Sequence, residues 1–245
     1  MKDRLIVSLD LRDLGQIKEI VASLRGIVSF YKIGAIPFTF FGIDVIKMLK
    51  DEGVRVMFDL KYHDIPNTVA RACEAASQLG VDFITLHTSG GFTMLEDAVK
   101  ATLMHAEMNK SPAPKLLGIT ILTSLDEAYL KDLYGETTRS LSEQVVFLAD
   151  LARSAGLDGV VASPHEIRLI REACGKDLVI VTPGVRLKEI AVSGDDQART
   201  MTPKQAVQQG ADYLVVGRPI VKAADPRHAA QQIIKEMEDG HRART

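Results

Sequence analysis

The sequence lacks the features that hold small secreted domains together or anchor a chain in a membrane. It has no tryptophan and only two cysteines, Cys73 and Cys174, which form no CxxC motif. Neither a disulfide framework nor a structural zinc site is indicated, which fits a reducing compartment. No run approaches the roughly 18 apolar residues of a membrane span, and the first ten residues are too poor in apolar side chains for a signal peptide. We therefore expect a soluble, cytoplasmic protein that does not contact a membrane.

An excess of charge of one sign is missing as well. The chain has 30 Lys and Arg against 32 Asp and Glu, which gives a formal net charge of −2. A nucleic-acid binder normally shows a basic excess or stripe, so we expect no nucleic-acid partner. No set of residues has the usual spacing of metal ligands, and no GxGxxG motif follows an apolar run, so no metal or cofactor is expected.

Eight short apolar runs, rich in β-branched residues, alternate with longer stretches of helical spacing. The runs cover residues 5–9, 28–33, 54–58, 82–86, 116–122, 159–162, 178–181 and 213–217. Apolar strands with intervening helices are typical of a parallel sheet covered by helices. Eight such units favour a closed barrel over an open doubly wound sheet, and no linker divides the chain. We therefore expect an α/β protein with a single (β/α)8 TIM barrel domain over residues 1–245.

Two segments deviate from this alternation. A polar stretch follows the seventh run and continues to a predicted helix at Pro203; stretches of this length often form lids over sites. The polar region 123–139 contains LDEAYLKDL, which predicts a short extra helix.

Charged and polar side chains stand at the predicted carboxyl ends of the strands. In a parallel barrel these ends meet at one mouth, where the active site lies. The residues at these positions are Asp10, Lys32, Asp59, Lys61, His87, Thr123, Ser163, Arg186 and Arg218. We expect them to form one site.

Asp59 and Lys61 are spaced by two, so in a regular strand both side chains point to one face and Leu60 points to the other. Lys32 and Asp10 end the two preceding strands and supply alternating charges beside that pair. A lysine between carboxylates is expected to stay protonated, which makes it a poor nucleophile and a well-placed acid.

Four residues at or just beyond the ends of the third and fourth strands allow more than one interpretation. Asp64 and Thr68 flank the predicted helix start at Pro66, where each side chain could satisfy free N–H groups or serve the site. His63 is predicted to be a loop residue, with a functional role as the less favoured alternative, and a structural role for His87 is slightly favoured over a position in the pocket.

The seventh and eighth strands predict a phosphate site. Gly184 and Arg186 follow the seventh strand, and Gly217, Arg218 and Pro219 follow the eighth. Barrels commonly bind phosphate with these two loops, and a guanidinium suits a phosphate group. A surface salt bridge is the alternative for Arg218.

The stretch DLKYHDIPNT at 59–68 closely resembles the signature of the orotidine 5′-phosphate decarboxylase family. Further matches cover essentially the whole chain. They are SLD at 8–10, YKIG at 31–34, HTSGG at 87–91, TPGVR at 182–186, DDQART at 195–200 and VVGRPI at 215–220. The resemblance implies a carboxy-lyase that converts orotidine 5′-phosphate to UMP, the last step of de novo pyrimidine biosynthesis, with no cofactor.

The resemblance also implies roles for the charged residues. Lys61 would protonate C6 of the pyrimidine as carbon dioxide leaves, and Asp59 would lie beside the departing carboxylate. Lys32 and Asp10 would hold the ribose and order the charges. Family members are homodimers, so Asp64 and Thr68 would reach into the neighbouring subunit's site.

The remaining matches imply contacts with the rest of the substrate. Thr123 would contact the pyrimidine edge, and four residues would bind the phosphate: Arg186, Gln197, Gly217 and Arg218. Because Gln197 lies in the long polar stretch, that stretch would be the phosphate lid.

Two alternatives remain at this point. Hexulose-phosphate synthases and 3-keto-hexulonate 6-phosphate decarboxylases resemble this chain in sharing DxKxxD, but they use Mg²⁺ and have an acid where this chain has Lys32. A barrel that binds a phosphate ligand without catalysis is the other, although binding alone does not need the charge set of Asp59, Lys61 and Asp64.

Overall fold

Eight parallel strands close into a barrel in the order in which they occur along the chain. The structure is a computed structural model that describes residues 1–135, 139–187 and 201–244. The strands are β1 (Leu5–Ser8), β2 (Phe30–Gly34), β3 (Arg55–Tyr62), β4 (Phe83–His87), β5 (Lys115–Ile119), β6 (Gly159–Val161), β7 (Val179–Thr182) and β8 (Tyr213–Val216). Each predicted apolar run contributes one strand, so the predicted (β/α)8 TIM barrel is confirmed.

At least one helix separates every pair of successive strands. In the described ranges the helices are α1 (Leu14–Ser23), α2 (Ala35–Phe41), α3 (Asp44–Asp51), α4 (Pro66–Gln78), α5 (Phe92–Asn109), α6 (Glu127–Tyr134), α7 (Leu141–Ser154), α8 (Ile167–Cys174), α9 (Pro203–Gln209), α10 (Arg218–Val221) and α11 (Pro226–Arg242). The predicted extra helix is α6, and the predicted start at Pro203 is that of α9. None of these helices has the length and apolar character that crossing a membrane requires.

The interior of the barrel contains an apolar layer. Seven strands each contribute a large side chain to it: Ile6, Phe30, Met57, Phe83, Leu117, Val181 and Val215. The rings of Phe30 and Phe83 pack edge to face at 4.9 Å. Met57 and Val215 also reach the cavity above the layer, so this packing forms the cavity floor.

The polar stretch after β7 begins and ends at one place. The backbone N–H of Arg186 donates to the carbonyl of Met201 at 3.0 Å, and the N–H of Met201 donates to the carbonyl of Gly184 at 3.4 Å. Beyond this base, Thr202 and Gln205 form a capping box that starts α9. The predicted lid itself falls mostly in 188–200, outside the described residues.

Arg171 on α8 joins the loops that enter β7 and β8. Its guanidinium donates to the carbonyls of Leu178 and Gly210 and to the carboxylate of Asp212, and its side chain is only 10% exposed. The Asp212 carboxylate in turn accepts the N–H of Ile180 at 2.9 Å. A removal of Arg171 would leave several buried acceptors without a donor.

Arg171→Ala is expected to lower the free energy of unfolding by about 3–5 kcal/mol, because it breaks a buried, hydrogen-bonded ion pair. Arg168→Ala on the same helix is the matched control: its pair with Glu172 is exposed and is worth at most about 1 kcal/mol. Urea unfolding followed by circular dichroism measures both. Equal losses in the two variants would contradict the structural role of Arg171.

Candidate active site

A cavity of about 530 Å³ opens at the carboxyl ends of the strands, above the apolar layer. Eight of the predicted site residues line it together. They are Asp10, Lys32, Asp59, Lys61, Thr123, Arg186, Gly217 and Arg218. Strands far apart in sequence deliver these residues to one mouth because all eight strands run parallel.

Four charged side chains, on β2, on β3 and just after β1, alternate in sign along one wall of the cavity. The Lys61 ammonium lies 2.8 Å from Oδ2 of Asp59, and the Lys32 ammonium lies 3.1 Å from the same oxygen. Lys32 also lies 3.2 Å from Oδ1 of Asp10, whose other oxygen accepts the hydroxyl of Ser8 at 2.6 Å. One carboxylate oxygen of Asp59 therefore serves two ammonium groups.

The charges become more exposed from the centre of this array outward. Side-chain exposure is 6% for Asp59, 11% for Lys32, 34% for Lys61 and 47% for Asp10. Burial alone would raise the pKa of Asp59, but Lys32 and Lys61 outweigh it and hold that pKa below its usual range. Burial alone would lower the pKa of Lys32, but Asp59 and Asp10 outweigh it and raise that pKa. Both buried groups therefore stay ionised near neutral pH.

The backbone around Lys61 departs from the regular strand that the sequence predicted. The run of apolar residues stops at Phe58, yet β3 continues to Tyr62, with an irregular register against β4. Lys61 has a φ of 53°, in the left-handed region, which costs an L-residue roughly 1–2 kcal/mol. Asp59 and Lys61 both line the cavity as predicted, but the strand that carries them is bulged and not regular. Leu60 packs against the outer core, also as predicted.

A glycine beside the array leaves room for these charges. Gly34 lies opposite Asp59 in the register of β2 and β3. A Cβ atom there would lie 3.0 Å from both Oδ1 of Asp10 and Nζ of Lys32. Any larger residue would push on the ion pair itself.

The residues predicted to bind phosphate come from the β7 and β8 exits. Arg186 follows β7, and Gly217 and Arg218 link β8 to α10. A Cβ atom on Gly217 would lie 3.2 Å from Cβ of Ser8, so the glycine lets β8 and β1 approach closely here. Gln197, the fourth predicted phosphate ligand, lies outside the described residues.

Asp64 and Thr68 are exposed and lie outside the wall of their own chain's cavity. The Asp64 carboxylate accepts the N–H of Ile65 at 2.7 Å, a local bond just before α4. Ile65 between them is a large apolar residue with 66% of its surface exposed. Within a single chain, Asp64 and Thr68 therefore lie apart from the eight predicted site residues that line the cavity.

Two other residues predicted at the mouth also lie outside the cavity wall. Ser163 follows β6 and is buried, and its hydroxyl accepts the N–H of His165 at 3.3 Å. His87 ends β4, with its ring 5.5 Å from that of His63, which is an exposed loop residue as predicted. Burial, together with the positive Lys61 and the neighbouring His63, lowers the pKa of His87.

Sequence reasoning missed two polar residues that hold the array. Ser8 binds Asp10, and Thr85 on β4 binds Asp59 at 2.9 Å. Each lies inside an apolar run, and a hydroxyl in such a run was the only available signal. Within the described residues, no three His, Cys, Asp or Glu side chains are grouped so that they could hold a metal ion.

Asp59→Asn is expected to destabilise the protein by roughly 3 kcal/mol at neutral pH, because it leaves two ammonium groups facing each other. The folded pKa of Asp59 lies below its unfolded value of about 3.9, so its contribution is present above that pH and is lost as the pH falls through the folded pKa. Urea unfolding at a fixed protein concentration should show the gap to wild type closing on acidification. Asp150→Asn, in an exposed pair with Arg153, is the control, and a gap independent of pH would contradict the prediction.

Comparison with known proteins finds the family that the sequence motifs resemble. The family model described as Orotidine 5′-phosphate decarboxylase / HUMPS family matches residues 3–233. An orotidine 5′-phosphate decarboxylase of Moorella thermoacetica is 48% identical over 97% of this chain and 93% of its own length. One of Trichlorobacter lovleyi is 48% identical over 98% and 97%.

Solved structures agree with these relatives. The crystal structure of orotidine 5′-phosphate decarboxylase from Lactobacillus acidophilus has a TM-score of 0.82 to this chain at 37% identity, covering 96% of this chain and 99% of that one. The cavity residues and the charged wall all lie within residues 3–233, which the family model matches. The chain belongs to the orotidine 5′-phosphate decarboxylase / HUMPS family.

Proposed function

We propose that this protein decarboxylates orotidine 5′-phosphate to UMP, the last step of de novo pyrimidine biosynthesis. The observation that carries the proposal is the Asp10–Lys32–Asp59–Lys61 array, buried at Lys32 and Asp59, in a cavity that two arginines, Arg186 and Arg218, also line. Family membership and the similarity to orotidine 5′-phosphate decarboxylases support it.

The chemical step needs a fixed positive charge at the reacting carbon. As the bond between C6 and the carboxylate breaks, carbon dioxide leaves and the electron pair stays on C6, where the ring delocalises it poorly. The Lys61 ammonium stabilises this developing charge and then delivers a proton to C6. Asp59 already holds that ammonium at 2.8 Å, so little reorganisation is needed during the reaction.

Asp59 has a second effect on the bound substrate. Its carboxylate, placed near the substrate carboxylate, disfavours the bound ground state relative to the transition state, in which that charge leaves. Lys32 and Asp10 order the array and bind the ribose. Asp10 suits this role because nearly half of its side chain is exposed at the cavity.

The reaction needs no metal ion or cofactor in this proposal. A magnesium site at this position would require an acidic residue in place of Lys32, because an ammonium group has donors and no acceptor. Here the Lys32 ammonium lies between Asp10 and Asp59, where a cation would bind. This arrangement favours the decarboxylase over the Mg²⁺-dependent alternatives.

The remaining cavity residues bind the parts of the substrate that do not react. Thr123 contacts the pyrimidine edge, and Arg186, Gln197, Gly217 and Arg218 bind the phosphate. Since the stretch that contains Gln197 starts and ends beside Arg186, phosphate binding can draw it over the cavity as a lid. Binding energy from the remote phosphate then contributes to closure and orientation at C6.

The complete site contains residues of two subunits in a homodimer. Asp64 and Thr68 are exposed, lie beside the exposed apolar Ile65 and are outside their own chain's cavity wall. In the dimer they reach the neighbouring array, where Asp64 places a second carboxylate near Lys61.

A cytoplasmic location fits the two free cysteines, Cys73 and Cys174.

Lys61→Ala is expected to abolish the decarboxylation of orotidine 5′-phosphate while UMP still binds, because the acid is lost and the cavity is kept. Loss of substrate absorbance measures turnover, and calorimetry measures UMP binding. Wild-type turnover should survive EDTA. Lys115→Ala, in an exposed pair with Asp158 at the other end of the barrel, is the control. Near-normal turnover by Lys61→Ala would refute the proton-donor role, and loss of wild-type turnover in EDTA would refute metal independence.

Mixing Lys61→Ala with Asp64→Ala chains tests the shared site. Each mixed dimer would contain one wild-type site and one that lacks both groups, so equal mixing should restore about a quarter of the wild-type sites. A mixture of Lys61→Ala with Asp59→Ala is the control, because both groups belong to the same chain's part of the site and no wild-type site forms. No recovery in the first mixture, once subunit exchange is demonstrated by tagged chains, would rule out the shared site.

A further inference from the structure

The register between β3 and β4 changes where the two charged residues stand. Phe58 lies opposite Ile84, and Tyr62 lies opposite Leu86. Strand β3 therefore takes four residue steps where β4 takes two, and Thr85 alone faces the bulged segment 59–61. In a regular parallel ladder, alternate residues of that segment would donate their backbone N–H groups to carbonyls of β4.

The hydroxyl of Thr85 replaces the missing ladder bond. It accepts the backbone N–H of Lys61 at 3.0 Å and donates its own proton to Oδ1 of Asp59 at 2.9 Å. A hydroxyl has one donor and two acceptor positions, so both bonds can form at once. Thr85 is completely buried and lies outside the cavity wall, so it contacts the array from behind.

These two bonds constrain the two groups on which the chemistry depends. With Oδ1 of Asp59 occupied by Thr85, Oδ2 faces the ammonium groups of Lys61 and Lys32. The bond to the Lys61 N–H holds the backbone in its left-handed conformation, which directs the side chain into the cavity.

We propose that Thr85 is a positioning residue that aims the Lys61 ammonium and the Asp59 carboxylate at the substrate. The proposal rests on the proposed function and assigns a role to a residue outside the cavity wall. Without the hydroxyl, a buried N–H and a buried carboxylate oxygen each lose a partner, and the bulge relaxes toward a regular strand. The ammonium then moves away from the reacting carbon while the rest of the cavity is unchanged.

Thr85→Val, which keeps the shape and removes the hydroxyl, is expected to lower kcat by about 10- to 100-fold, since small misplacements of a catalytic group have effects of this size. KM and UMP affinity should stay within about threefold of wild type, because the contacts with ribose and phosphate are kept. Thr85→Ser restores the hydroxyl and should recover most of kcat.

Thr182→Val is the matched control. Thr182 is also a completely buried strand threonine, on β7, but its hydroxyl has no hydrogen-bond partner in the described part of the chain. Its replacement should leave kcat unchanged. Equal kcat values for Thr85→Val and wild type, or equal losses in Thr85→Val and Thr85→Ser, would overturn the proposal.

Hydrogen exchange of the Lys61 amide gives a readout that does not depend on activity. It should be at least about tenfold faster in Thr85→Val than in wild type and Thr85→Ser, because the amide loses its acceptor. Inactive wild-type protein would refute the proposed function, whereas unchanged exchange in Thr85→Val would refute the role of Thr85. If the valine variant does not fold, Thr85→Cys, with a weaker donor and acceptor, takes its place, and unchanged kcat and exchange there would overturn the proposal.

Discussion

The contact of one buried carboxylate oxygen with two ammonium groups determines how the rest of the site is built. Oδ2 of Asp59 contacts the ammonium groups of both Lys32 and Lys61, and the charge of Asp59 helps to raise the pKa of the buried Lys32 against the effect of burial. The barrel provides this contact by placing β2 and β3 side by side with Gly34 opposite Asp59. The apolar floor beneath excludes water, so these charges interact more strongly than they would in solvent.

The fold could be predicted because its signal is repeated. Eight apolar runs separated by helical spacing leave few architectures, and the parallel direction of the strands sends their polar ends to one mouth. Most predicted site residues meet there for that reason alone. Ser163 and His87 show the limit of the rule: a residue at a strand exit need not line the cavity, because local contacts in the following loop also decide where its side chain lies.

The parts that could not be predicted depend on contacts between strands. Nothing near Lys61 in sequence signals a left-handed backbone, since the bulge exists only against β4. Thr85 is hidden in an apolar run for the same reason: its importance lies in which strand it faces. The separation of Asp64 and Thr68 from their own cavity is likewise a property of three-dimensional arrangement, and only the family resemblance suggested a role for them across a subunit boundary.

The base of the polar stretch after β7 has a consequence for how such proteins can vary. Main-chain bonds between Gly184, Arg186 and Met201 close this segment independently of the side chains within it. Closing a loop twice as long costs only about 0.6 kcal/mol more. Insertions and deletions between these anchors are therefore expected to leave the barrel and its charged wall intact, so the length of this segment can change independently of the residues that the strands deliver to the cavity.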